Sequence, residues 1–309
     1  SKRLMPVQER LSLNSKSDRA PRALLVIHGL LSNTEAVIDD LKGRWLDGMS
    51  SRYAAILGLD HRTLSKDPEQ NAVELFEMLK RYAPELVRDQ RLDVVTHSRG
   101  GLVARAFCEL EGHAAAVRNL VMVGTPNCGT DLANSKNWGR LADSLVNLSG
   151  IAQAKPIGYL AGFLARLAVM GVQTAAPGLM AMNPETAGVK NKFLSRLQQA
   201  DRKNLTVRYS AVTADFEPTP IIPNLKSLVA TAKSMGIDTA TDSFFGKDGE
   251  PVANDLVVNT AHVWCVGQSP AEKQNLPKSF GKRVLAFVPP DSQAELPSGV
   301  RREVELGVN

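Results

Sequence analysis

At 309 residues, 43% of them hydrophobic and 22% charged, the chain is long enough to bury a sizeable core and reads as one large domain carrying an insertion. The formal charge of +5 is concentrated at the start, where Lys2, Arg3, Arg10, Lys16, Arg19 and Arg22 face only Glu9 and Asp18, a net +4 over residues 1–22. No basic face is interleaved with aromatics, which argues against nucleic acid as a partner. The basic arm reads first as a solvated segment, and alternatively as a peripheral contact with anionic lipid.

Cys108, Cys128 and Cys265 form an odd set without metal-type spacing, so free thiols in a reducing, cytoplasmic compartment are expected rather than a disulfide. No charged leader followed by an apolar run opens the chain, so no signal peptide is expected, although the first residue is Ser rather than Met. Residues 157–182 are apolar, but Arg166, Gln173, Pro177 and several glycines interrupt them, so no membrane span is expected.

In chain order, short apolar runs alternate with amphipathic stretches, the pattern of βα units and a parallel sheet. Ala23–Ile27 predicts a buried strand, followed by a helix from about Glu35 through Val37, Leu41, Trp45 and Leu46. Tyr53–Leu59 predicts a second strand, and Pro68 opens a helix through Val73, Leu75, Phe76 and Leu79. Leu92–Val95 predicts a third strand that leads into Thr96–Gly101, with a helix over Leu102–Leu110. Further strands are expected at Asn119–Val123, at 205–213 and, as the last one, at Val284–Val288. The domain therefore spans 23–290, with an insertion at about 131–202 and a tail at 291–309. The first half of the insertion is rich in Leu, Ile and Phe, which suits a lid or acyl-binding pocket above the strand ends, or else a helical cover for the sheet. Residues 217–254 form a second excursion without clear periodicity.

Thr96-His97-Ser98-Arg99-Gly100-Gly101 lies between a strand and a helix, the context required of a nucleophile elbow of G-x-S-x-G type. A strained turn at the serine needs small neighbours two residues away on either side. Gly100 meets that need, whereas Thr96 stands where glycine is commoner and requires a slightly wider turn. The helix behind Ser98 aims free N–H groups at an oxyanion, the first from Arg99. A second donor is expected from the turn His28-Gly29-Leu30, at the Leu30 N–H; His28 and His97 are read as structural.

Together with Gly124-Thr125-Pro126-Asn127-Cys128-Gly129-Thr130, these motifs resemble those of bacterial lipases and related lipid-anchor esterases of the α/β-hydrolase superfamily. The resemblance covers residues 23–135 well and 205–260 loosely. It implies an α/β-hydrolase fold, a mostly parallel sheet with helices on both faces. It also implies a serine hydrolase acting on acyl or lipid esters, with Ser98 as nucleophile. Asn254-Asp255-Leu256-Val257-Val258 resembles the segment carrying the catalytic acid, which makes Asp255 the acid and leaves Asp215 as its rival.

The base is a histidine among only five, namely His28, His61, His97, His113 and His262. In these families it follows the last strand, yet residues 289–295 contain none, and His262 alone lies beyond Asp255. Three readings stand: His262 is the base, the base lies past Asn309, or the site is degenerate and the domain binds a partner or ligand. An acyltransferase or amidase on the same scaffold is a further alternative. No metal cluster or dinucleotide fingerprint is visible, so no cofactor is expected, and the oligomeric state is not fixed by the sequence.

Overall fold

The structure is a computed structural model that describes residues 5–13, 21–40, 44–130, 133, 176–186, 189–202, 205–214, 262–267, 280, 283–288, 296, 298 and 300–304. Among the described residues, seven parallel strands make the central sheet: β1 (Ala23–Ile27), β2 (Ala55–Leu59), β3 (Leu92–His97), β4 (Val117–Val123), β7 (Arg208–Ala214), β8 (Val284–Val288) and β9 (Val300–Val304). Their spatial order is β2-β1-β3-β4-β7-β8-β9, and a separate hairpin pairs β5 (Glu185–Thr186) with β6 (Val189–Lys190). This parallel, helix-flanked sheet, with a serine elbow at the end of a central strand, is the expected α/β-hydrolase fold.

β1 is buried along its whole length because it lies between β2 and β3 with both faces covered, the situation that favours a continuous apolar run over alternation. Where a helix was expected after it, the structure describes α1 (Thr34–Asp40) and α2 (Arg44–Arg52). α3 (Pro68–Tyr82) begins with Pro68 after Asp67, whose carboxylate accepts the Gln70 N–H while the Gln70 side chain accepts the Asp67 N–H, a reciprocal capping box. α4 (Arg99–Arg105) continues as a π-helical turn over Ala106–Leu110. Leu75 and Leu79 of α3 pack with Val103, Ala104 and Phe107 against Leu25, Ile27, Val94 and Leu120 of the sheet.

The expected last strand is not the last. Val300–Val304 extends the sheet from within the expected tail, pairing with β8 from Val284↔Val300 to Val288↔Val304. The chain places a seventh strand there because the outer edge of β8 is otherwise an unpaired row of N–H and C=O groups.

Of the insertion, the structure describes α5 (Pro177–Met180), the β5–β6 hairpin and α6 (Lys192–Gln199). Leu179, Met182, Leu194 and Leu197 gather with Ala133 and Leu102 into a second apolar cluster, against which Leu30 packs. The apolar first half of the insertion, the 217–254 excursion, Asp215 and Asp255 lie outside the described residues.

The cysteine expectation is overturned. Cys128 and Cys265 form a disulfide with Cα atoms 5.7 Å apart, and only Cys108 is a free, buried thiol. The pairing joins positions 137 residues apart, so it depends on the tertiary fold rather than on sequence spacing. It removes the ground on which a reducing compartment was expected. Among the described residues, no helix is long and apolar enough to cross a membrane.

Candidate active site

Ser98 sits between β3 and α4 with φ 49° and ψ −125°, a backbone conformation that L residues avoid and that persists only where the surroundings enforce it. The surroundings here are backbone. A Cβ on Gly100 would meet the Ile27 and His28 carbonyl oxygens at 2.5 and 2.7 Å, and a Cβ on Gly29 would meet Ser98 Cβ at 3.0 Å. The elbow is thus wedged against the end of β1, and glycine at both positions permits the approach. Thr96 is accommodated by turning its hydroxyl toward β4, where it donates to the Val121 carbonyl at 3.2 Å. On its other flank, Ser98 N–H donates to Val123 O at 2.8 Å, carrying the ladder one residue past β3.

The turn after β1 is held by side chains. His28 Nδ1 contacts Gly29 O at 2.8 Å and its Nε2 receives the His61 N–H at 3.3 Å. A carbonyl only accepts and an amide only donates, so His28 is neutral with its proton on Nδ1. Burial, the largest cause, holds His28 below its ordinary range. His61 stacks on it with ring centroids 4.2 Å apart, and burial followed by the nearby His28 and Arg99 lowers His61 to about 3. Such a weak base is unsuited to take a serine proton near neutrality. Both imidazoles are structural, as read for His28. Leu31, also at positive φ, donates its N–H to Thr63 Oγ1 at 3.2 Å. Among the described residues, no acceptor engages the Leu30 N–H or the Arg99 N–H, the two amides expected to face an oxyanion.

The side chain of Arg99 does something the sequence did not suggest. It is fully buried, with Nε donating to Gly178 O at 3.3 Å and Nη2 donating to Lys66 O at 2.5 Å and Asn71 Oδ1 at 3.0 Å. All three acceptors are uncharged, and burial brings the guanidinium down to about 10. Arg99 thereby ties the elbow to α3 and to α5 of the insertion. Gly178 is required at that joint, because a Cβ there would lie 1.9 Å from Thr63 O.

His262 is buried and docks on the loop that follows β4, with Nδ1 2.7 Å from the Gly129 carbonyl oxygen. Gly129 adopts φ 86° in that loop, a conformation suited to glycine. β4 is the immediate neighbour of β3 in parallel register, with His97 opposite Val123, so the loop on which His262 docks and Ser98 both follow the C-terminal ends of adjacent strands. The next residues, Val263, Trp264 and Val266, are buried in the main core, and Cys265 is bonded to Cys128. Of the other two histidines, His97 is exposed and His113 stacks on Phe76 at 3.7 Å.

The motif Gly124–Thr130 carries more than sequence reading assigned to it, since Asn127, Cys128 and Gly129 all hold the His262 segment. The cysteine in both segments was the available signal. Among the described residues, no group of three His, Cys, Asp or Glu side chains is placed to hold a metal ion.

One protein-family model, described as "Domain of unknown function (DUF7379)", matches residues 4–285. No curated protein matches the chain. Solved structures similar to it include the lipase BlEst2 of Bacillus licheniformis in its propeptide form, at 16% identity and TM-score 0.43 over 84% of this chain and 45% of that one. Phospholipase PlaB of Legionella pneumophila is similar at 15% identity and TM-score 0.47, over 79% of this chain and 46% of that one. Lipase 1 of Pelosinus fermentans is similar at 14% identity and TM-score 0.47, over 80% and 85%. The chain thus spans under half the length of the first and second of these relatives.

Proposed function

We propose that this chain, which belongs to the DUF7379 family, is a serine hydrolase of carboxylic esters, with acyl or lipid esters as its substrates. The observation that carries the reading is the strained Ser98 elbow, at φ 49°, with Gly100 packed on the Ile27 and His28 carbonyls and Gly29 packed on Ser98. Strain of that kind costs roughly 1–3 kcal/mol, and active sites are where it is retained.

Ser98 Oγ attacks the ester carbonyl while His262 Nε2 takes its proton. The negative charge that develops on the carbonyl oxygen is received by the Leu30 and Arg99 amides. The C–O bond to the alcohol then breaks, the imidazolium returns the proton to the leaving alkoxide, and an acyl-serine remains. Water, deprotonated by the same imidazole, attacks that ester, and collapse releases the acid and restores Ser98. Asp255 is the acid that stabilises the imidazolium. The Gly129 contact supports the assignment of His262. It keeps the Nδ1 proton in place and leaves the Nε2 lone pair as the basic site.

The apolar cluster around Leu30, Leu179, Met182 and Leu194 supports an acyl group in the substrate, since it abuts the oxyanion turn. The decisive experiment is labelling with a fluorophosphonate probe, followed by mapping of the modified peptide. Modification at Ser98 that is lost in Ser98→Ala is expected. Folded protein that stays unlabelled overturns the reading and favours a binding module on the same scaffold.

A further inference from the structure

Residues 262–267 contain a short 3₁₀-type turn and bends and carry the candidate base, so their position depends on what grips their backbone. Two amide side chains do so. Asn127 Nδ2 donates to Val263 O at 2.6 Å. Gln198 Nε2 donates to Cys265 O at 2.8 Å, and Gln198 Oε1 accepts the Gly267 N–H at 2.6 Å. Gln198 Nε2 also donates to Asn127 O at 2.6 Å, which joins the two grips.

The Asn127 amide is anchored to charge. Arg105 Nη1 donates to Asn127 Oδ1 at 3.0 Å, which fixes the Asn127 amide so that its NH2 group must face Val263. Arg105 is in turn held by the buried carboxylate of Glu109 through two bonds of 2.8 and 3.0 Å. Glu109 also receives Arg202 Nη2 at 2.5 Å and Tyr209 OH at 3.0 Å. Gln198 is the penultimate residue of α6, so the insertion reaches back to the loop after β4 and to the base segment together.

We infer that Asn127 and Gln198 are positioning residues for His262, and that through Gln198 the last helix of the insertion holds the base in register with Ser98. This rests on the reading of His262 as the base. Three side-chain bonds over five residues set the height of the segment, and the Gly129 carbonyl then sets the rotation of the ring. A shift of about 1 Å in a reacting group can cost about 100-fold in rate.

The test uses Gln198→Glu and Asn127→Asp in the full chain. Each keeps the side-chain shape and the acceptor, and each replaces the donor with a second acceptor facing a carbonyl. With the p-nitrophenyl ester that wild type turns over fastest, kcat is expected to fall about 10- to 100-fold with KM within about twofold. In parallel, proton NMR of the imidazole, assigned by its loss in His262→Ala, is expected to show faster solvent exchange of the Nδ1 proton. If Gln198→Glu does not fold, Gln198→Met removes the same donor without adding charge and is read in the same way. Wild-type kcat together with an unchanged Nδ1 exchange rate in folded variants overturns the positioning role, whatever His262→Ala does. Wild-type turnover by His262→Ala instead sinks the assignment of the base, and the positioning role with it.

Discussion

The imidazole of His262 gives its Nδ1 proton to the carbonyl of Gly129, across a 2.7 Å contact between residues 133 positions apart. A carbonyl has no proton to give, so this contact requires the tautomer that carries its proton on Nδ1. In that tautomer the Nε2 lone pair is the one that a proposed general base needs.

The proposed base and acid are expected to differ in importance for this reason. His262→Ala should lower kcat by about 10⁴-fold or more, whereas Asp255→Asn should cost at least tenfold less than that. Steady-state kinetics on one p-nitrophenyl ester series checks both. A larger loss from Asp255→Asn than from His262→Ala contradicts the tautomer argument.

The elbow makes a prediction about two glycines of opposite character. A methyl at Gly100 meets two carbonyl oxygens, so Gly100→Ala is expected to lose about 1–3 kcal/mol of stability and to slow fluorophosphonate labelling. Gly48, in α2, has nothing within 4 Å of its added methyl, so Gly48→Ala is expected to gain roughly 0.5–1 kcal/mol and leave labelling unchanged. Thermal unfolding of the pair checks the first half and labelling rates check the second. Equal behaviour of the two variants would count against the wedge between Gly100 and β1.

The disulfide between Cys128 and Cys265 closes a long loop, and its removal is expected to cost about 2–5 kcal/mol. Differential scanning fluorimetry of Cys128→Ala, and of wild type with its thiols freed by a reductant, should both show a lower Tm. An unchanged Tm with the thiols confirmed free by alkylation would show that the bond does not hold the segment.

Stability should fall on mild acidification because of the stacked histidines behind the turn that follows β1. His61 is held at about 3 against an ordinary 6.5, and His28 is also lowered. Between those values the unfolded chain binds protons that the folded chain refuses. Their contribution is present above about 6.5 and is lost as the pH falls toward 3. Urea unfolding at pH 7 and pH 5 checks this, with a smaller difference between the two expected for His61→Phe. An unaltered difference in that variant would remove His61 as the cause.

Where the sequence was legible, a local pattern reported a local cause. Pro68 after Asp67, with Gln70 behind it, marks the start of α3 because the cap is made within four residues. Leu92–Val95 running into Ser98 marks the elbow because strand, turn and helix follow one another directly. The Arg99 side chain was illegible, since its acceptors come from Lys66, Asn71 and Gly178. The strand at Val300–Val304 was missed as well, because Arg301, Arg302 and Glu303 in its middle mask an edge strand whose partner is known only once the sheet is built.

The sequence by itself determined the alternation of strands and helices and the place of Ser98 on the turn between β3 and α4. Those depend on residues adjacent in the chain, where sterics and periodicity act directly. Only the tertiary structure decided that Cys128 meets Cys265, that Asn127 and Gln198 grip the segment of His262, and that a carbonyl holds its ring. Each of those contacts joins residues about 70 or more positions apart, and spacing along a chain does not encode distance across a fold.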